Sequence, residues 1–186
     1  YTGGVNVLNT KTGVFRIYTT KAGDPTTLDR SSSYAIFKDR EARIWVTSMS
    51  GVNLYNREED NFTRIRDLGS WIMDIDQDAD GNIWFSSQGN GLFKYDPDKQ
   101  EWTNYVHSSA PGALINDQVN CVLIDGNGEM WIGTMNGLCK YNAKEDQFEL
   151  IPLDIPSRNI CAIIEDQRVL WLTTTKGLVR YAPGES

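Results

Sequence analysis

Asp76-Gln77-Asp78-Ala79-Asp80-Gly81 sets carboxylates at alternate positions ahead of a glycine. This is the spacing with which a calcium loop begins to turn its oxygens onto a hard cation. Such a loop closes on a bidentate glutamate about twelve positions in, and Ser87 stands there instead. The corresponding stretches elsewhere read Asp39-Arg40-Glu41 and Asp125-Gly126-Asn127-Gly128, so a hairpin turn accounts for the acids without a cation. The reading is therefore no metal and no cofactor, with Asp76, Asp78 and Asp80 as the alternative metal ligands.

Other reactive side chains carry less. His107, the single histidine, stands beside Ser108 and Ser109 in a polar connection, and a serine–histidine pair does nothing without a third group to orient it. Glu58-Glu59-Asp60 and Glu145-Asp146 fall in turns and read as solvated charge rather than as an acid/base pair. Cys121, Cys139 and Cys161 show no metal or redox spacing and read as small buried hydrophobes. Aligning the repeats places Cys121 with Ala162 and Cys161 with Asn120, so these two thiols should point to opposite faces of their sheets. No catalytic constellation emerges.

The elements that position these groups recur. Val119 to Asp125 is an apolar run, Gly126-Asn127-Gly128 reverses it, Met130-Trp131-Ile132-Gly133-Thr134 runs back, and Gly137-Leu138 opens a third run to Tyr141. This is a three-stranded meander. Its pattern returns around Trp45, Trp84 and Trp171, so that the tryptophans stand 39, 47 and 40 residues apart. The tyrosines that close the third runs, Tyr55, Tyr95, Tyr141 and Tyr181, keep step. A period of about 40–45 residues with several short strands per unit predicts propeller blades, each burying its apolar face against its neighbours.

Outer fourth strands are predicted at Phe15 to Tyr18, Phe62 to Ile65, Trp102 to Tyr105 and Phe148 to Ile151. The whole of 1–186 reads as one all-β propeller segment: a partial blade at 1–18, blades at about 33–65, 71–105 and 119–151, and a partial blade at 159–181. Ile36, Ile75, Val122 and Ile163 share one core-facing position on the innermost strands. The four repeated tryptophans belong to the packing between blades. Connections from one blade to the next are long at Thr19 to Ser33 and Val106 to Gln118 and short elsewhere; function tends to lie in such long connections.

A net charge of −7, with no basic run, argues against nucleic acid as a partner. No apolar run approaches the roughly 20 residues of a membrane-crossing helix, so no membrane contact is expected of this segment. The chain begins partway through a repeat and reads as cut from something longer. Unpaired edge strands at both ends invite a homodimer or an open arc; the alternative is that Phe15 to Tyr18 completes the last blade and closes a small ring.

The motif Ile-x-x-Asp-x-x-Gly-x-Ile-Trp-Ile-Gly-Thr-x-x-Gly-Leu-x-x-Tyr, followed by a turn and then Phe, resembles the two-component regulator propeller repeat. Leu8 replaces the tyrosine in the first unit, and Ser86-Ser87 replaces Gly-Thr in the third. The resemblance implies part of a larger ring, commonly seven-bladed, in the periplasmic sensor region of an inner-membrane hybrid histidine kinase and response regulator. It further implies a non-catalytic, oligosaccharide-responsive module whose partners are its ligand and its own kinase module, the latter outside these residues.

On that reading the ligand site lies on the face formed by the connections between blades and by the turns between second and third strands. Trp71, which the repeat does not explain, would stack on the ligand, with Arg30, Gln88, Asn90, Asn136 and Lys176 as hydrogen-bond partners. Two other readings are a protein-interaction scaffold, which predicts an exposed apolar patch on this face, and a propeller lyase or hydrolase, which needs clustered histidine, tyrosine or carboxylate groups.

Overall fold

The computed structural model describes residues 3–184. Glycine, asparagine and aspartate at the reversals and alternating apolar residues between them produce strands throughout, and no helix occurs among the described residues. Strands β1 (Val5–Leu8) and β2 (Phe15–Tyr18) pair as a hairpin. Next come β3 (Ser33–Lys38), β4 (Ile44–Ser48), β5 (Gly51–Asn56) and β6 (Asn61–Asp67), then β7 (Trp71–Gln77), β8 (Ile83–Gln88), β9 (Leu92–Asp96) and β10 (Glu101–Tyr105). They are followed by β11 (Val119–Ile124), β12 (Met130–Thr134), β13 (Gly137–Asn142) and β14 (Gln147–Ile151), and by β15 (Ile160–Asp166), β16 (Val169–Thr174) and β17 (Gly177–Tyr181).

Each group forms a separate sheet in which sequence neighbours are sheet neighbours: three sheets of four strands, the β15–β17 sheet and the β1–β2 hairpin. The architecture is all-β, built of four-stranded antiparallel blades. The chain divides into two compact units, one ending at Ile72 and one beginning at Met73. Tyr1, Thr2, Glu185 and Ser186 lie outside the described residues.

Cores form between consecutive sheets. In the first unit, Val5 of the leading hairpin meets Leu28, Val46 and Phe62. In the second, Trp84 and Leu92 meet Val119, Val122, Met130 and Ile132, and Trp131 and Leu138 meet Ile160, Ile163 and Leu172. Trp45, Trp84 and Trp131 are 1%, 0% and 2% exposed.

Trp171, expected in the core with them, is only half-buried. Trp84 and Trp131 are covered by the sheet that follows their own, and no further sheet covers Trp171 among the described residues. Cys161, expected to be buried, is exposed for the same reason, while Cys121 and Cys139 are buried. Burial pushes the Cys139 thiol up to about 12 and raises that of Cys121, which leaves both unreactive. Ile36 is 60% exposed where Ile75, Val122 and Ile163 are buried. Val122 and Ile163 pack on the preceding sheet, and the sheet before β3 has only two strands.

Every buried indole needs an acceptor for its N–H, and the aspartate six residues earlier supplies it. Trp45 donates to Asp39 at 2.8 Å, Trp84 to Asp78 at 2.7 Å and Trp131 to Asp125 at 2.9 Å. The same carboxylates accept the N–H groups of Arg43, Asn82 and Glu129 at 2.7, 2.9 and 3.0 Å, so one side chain both closes the turn and holds the core ring. Asp166 stands one residue nearer to Trp171. There the reversal is a two-residue loop, with Gln167 and Arg168 both at positive φ (51° and 67°). That loop makes Asp166 and Val169 the last paired residues of the ladder.

Replacing Asp78 by alanine orphans the buried Trp84 N–H and should lower unfolding stability by about 1–3 kcal/mol, with Asp78→Asn losing less. Urea denaturation followed by tryptophan fluorescence checks this, and equal stability of the two variants would show that the bond contributes nothing.

Candidate functional site

Three inner strands, β3, β11 and β15, open on a break in register. The ladder skips between Ser33 and Ile36, between Val119 and Cys121, and between Ile160 and Ala162. A bulge of this kind releases one residue from pairing and re-aims its side chain. In the second unit the released Asn120 reaches the next inner strand, donating to Asn159 Oδ1 at 2.9 Å and to the Ile160 carbonyl at 2.7 Å. In the first unit the corresponding residue is Tyr34, and its ring lies against Trp71, with centroids 6.0 Å apart and planes 18° from parallel. Both rings remain open to solvent, Tyr34 at 36% and Trp71 at 46%. Tyr34 was not among the sequence candidates. Its signal was its type, since the matched positions hold Met73, Asn120 and Cys161.

The long connections are pinned rather than loose. Leu28 and Leu114 are buried, and the carbonyls of Thr26 and Gly112 accept the N–H groups of Phe62 and Phe148 at 2.9 and 2.7 Å. Asp29 gathers Ser48 Oγ at 2.6 Å, Ser50 Oγ at 2.8 Å and Asn53 Nδ2 at 2.6 Å, and Arg30 beside it is exposed. His107 is part of the staple: its N–H donates to Asp117 at 2.6 Å and its Nδ1 lies 2.9 Å from the Leu114 carbonyl.

The turns between second and third strands share one device. The hydroxyl of Ser87, Thr134 or Thr174 donates to the carbonyl of Gly91, Gly137 or Gly177. It also accepts the N–H of Asn90, Asn136 or Lys176. The backbone of each of these three sequence candidates is thus held by its turn. Gln88 ends β8 and bridges to Gln118. Asn136 also lines a cavity of about 440 Å³ with Gly137, Leu150, Leu153, Ile155 and Arg158, which nothing in the repeat pattern announced. Of the six candidates, Arg30 and Trp71 belong to the first unit and Gln88, Asn90, Asn136 and Lys176 to the second; the latter occupy three separate turns, one per sheet.

The alternate acids serve the fold. Asp78 holds its indole, and Asp76 Oδ2 accepts the N–H of Ile124 at 2.6 Å. No group of three or more histidine, cysteine or acidic side chains converges among the described residues. Asp60 and Asp146, read as solvated turn charges, instead accept pairs of tyrosine hydroxyls. Tyr18 and Tyr55 donate to Asp60, and Tyr105 and Tyr141 donate to Asp146 at 2.7 and 2.5 Å. The Tyr141 hydroxyl is the chief reason that the Asp146 carboxyl is held below the usual range, while burial pushes Tyr105 up to about 12.

Residues 113–136 match the family model described as Two component regulator propeller. Those residues carry the two-component regulator propeller repeat. Its fold is similar to the extracellular domain of a hybrid two component system from B. thetaiotaomicron at 25% identity and a TM-score of 0.80, covering 97% of this chain and 24% of that one. A second such domain from the same organism matches at 19% identity and a TM-score of 0.81, with 96% and 25% covered. The chain therefore spans about a quarter of the length of these relatives. Virginiamycin B lyase from Staphylococcus aureus shares the fold at 11% identity and a TM-score of 0.69, over 99% of this chain and 64% of that enzyme. No curated protein sequence matches the chain.

One further group titrates unusually. Asp74 is pushed up to about 6, first by burial and then by the neighbouring Asp76, against the pull of the Val122 and Ile75 N–H groups. The fold therefore takes up a proton that the unfolded chain would release. Its contribution to stability is complete below about pH 4 and is lost as pH rises through about 6. Asp74→Asn should accordingly flatten the fall in urea midpoint between about pH 4 and pH 7; a variant that keeps the parent's pH dependence would assign that dependence elsewhere.

Proposed function

We propose that this chain is a segment of the extracytoplasmic, non-catalytic propeller with which a hybrid two-component sensor of the periplasm binds an oligosaccharide. The signal would pass to its own kinase module. The repeat and the likeness to extracellular domains of hybrid two component systems support the sensor role. The observation that carries the ligand assignment is Trp71, nearly half exposed where the repeated indoles of β4, β8 and β12 are sealed. An exposed flat ring offers its face to the C–H side of a sugar, while hydroxyls and amides nearby engage the sugar's rim.

Arg30 is the candidate hydrogen-bond partner in the same unit, and Gln88, Asn90, Asn136 and Lys176 are those on the turns of the second. Their side chains are polar and their backbones preset, which lowers the ordering cost of binding. The one histidine is bound into its own connection, which favours a binding module over a lyase or hydrolase. The protein-scaffold reading rests on a different observation, the exposed Met135 and Leu150, the latter at the cavity beside Asn136.

Isothermal titration of the chain against neutral trisaccharides checks the proposal. Binding of at least one, weakened about tenfold or more by Trp71→Ala, is the expected result. Absence of binding across a broad panel would remove the sugar assignment.

A further inference from the structure

We infer that Tyr34 and Trp71 together form a two-ring platform that seats two successive sugar rings of a linear, neutral glycan. The inference rests on the sugar-binding reading above and assigns its minimal ligand. The bulge at the head of β3 recurs at β11 and β15, but what it projects does not. Asn120, the equivalent residue on β11, spends its side chain tying one inner strand to the next. Tyr34 reaches the same place relative to the following strand and makes no such polar tie; it lays an aromatic ring beside another. Both rings are open to solvent, and the cluster of Val5, Leu28, Val46 and Phe62 includes neither.

The geometry specifies the ligand further. Centroids 6.0 Å apart with planes 18° from parallel describe an offset stack, in which the two rings overlap only in part. That centroid separation is comparable to the step between successive rings of a linear sugar chain. Each aromatic face can then take the C–H face of one sugar, and the Tyr34 hydroxyl offers a hydrogen bond at the rim. The net charge of −7 repels polyanionic chains at long range, which favours neutral glycans.

The test uses the whole chain with matched mono-, di- and trisaccharide series of glucose, xylose and mannose. Affinity is read by titration, and protection of Trp71 by acrylamide quenching of tryptophan emission. At least one disaccharide should bind about tenfold more tightly than its monosaccharide, with the trisaccharide similar to the disaccharide, and binding should shield the exposed indole. Tyr34→Leu, which keeps apolar volume and removes the flat ring, should cost the disaccharide about tenfold while leaving the monosaccharide unchanged; Tyr34→Phe should retain most affinity. Equal affinity for mono- and disaccharide, or a Tyr34→Leu chain that binds the disaccharide as the parent does while Trp71→Ala does not, overturns the two-ring inference and leaves the sugar reading standing. Failure of every series to bind or to shield Trp71 overturns both.

Discussion

A tryptophan cannot be sealed between two sheets unless its N–H finds an acceptor, and the bond from Asp39, Asp78 or Asp125 to the indole six residues on meets that constraint in three successive blades. The same carboxylate collects turn N–H groups, so the reversal and the core are set by one side chain. Where the loop is a residue shorter, at Asp166, the bond is missing, and the indole is also the one left half-covered. Within the second unit, the packing of each sheet against the next includes the ring this bond holds in place.

Around that frame, side chains divide by whether the repeat accounts for them. The hydroxyl turns, the paired tyrosines on Asp60 and Asp146, and the leucines under the long connections recur and belong to the fold. Tyr34, Trp71, Asp74 and Asp76 do not recur. Three of these four lie on β7, so one inner strand concentrates chemistry that its counterparts lack. Ligand recognition by such a scaffold depends on departures of this sort, because a position shared by every blade is already committed to packing.

Strand positions and sheet order were legible because period-two alternation and punctuating glycines act locally. Gly91 shows the mechanism: at a φ of 76° a side chain would run into the Tyr105 carbonyl, so the glycine that opens a third strand is dictated by its neighbour. The aspartate–tryptophan bond was written in the sequence as a spacing of six but read only as a turn, since the turn alone explains the acid. The bulge was invisible, because it exists only by comparison with the partner strand, and without it Tyr34 looks like any strand residue. Ile36 and Trp171 went the other way: their positions predict burial, and coverage depends on which sheets stand beside them.

The carboxylates on β7 have one more effect. β11 is the first strand of its sheet, and an uncovered edge of that kind is an open template on which a foreign chain can grow. Asp74 and Asp76 accept the N–H groups of Val122 and Ile124, filling two acceptor places that an invading strand would need. Asn120 does the converse for the carbonyl of Ile160 on β15. These polar side chains thus occupy backbone groups that a foreign strand would have to pair with, where neighbouring sheets meet.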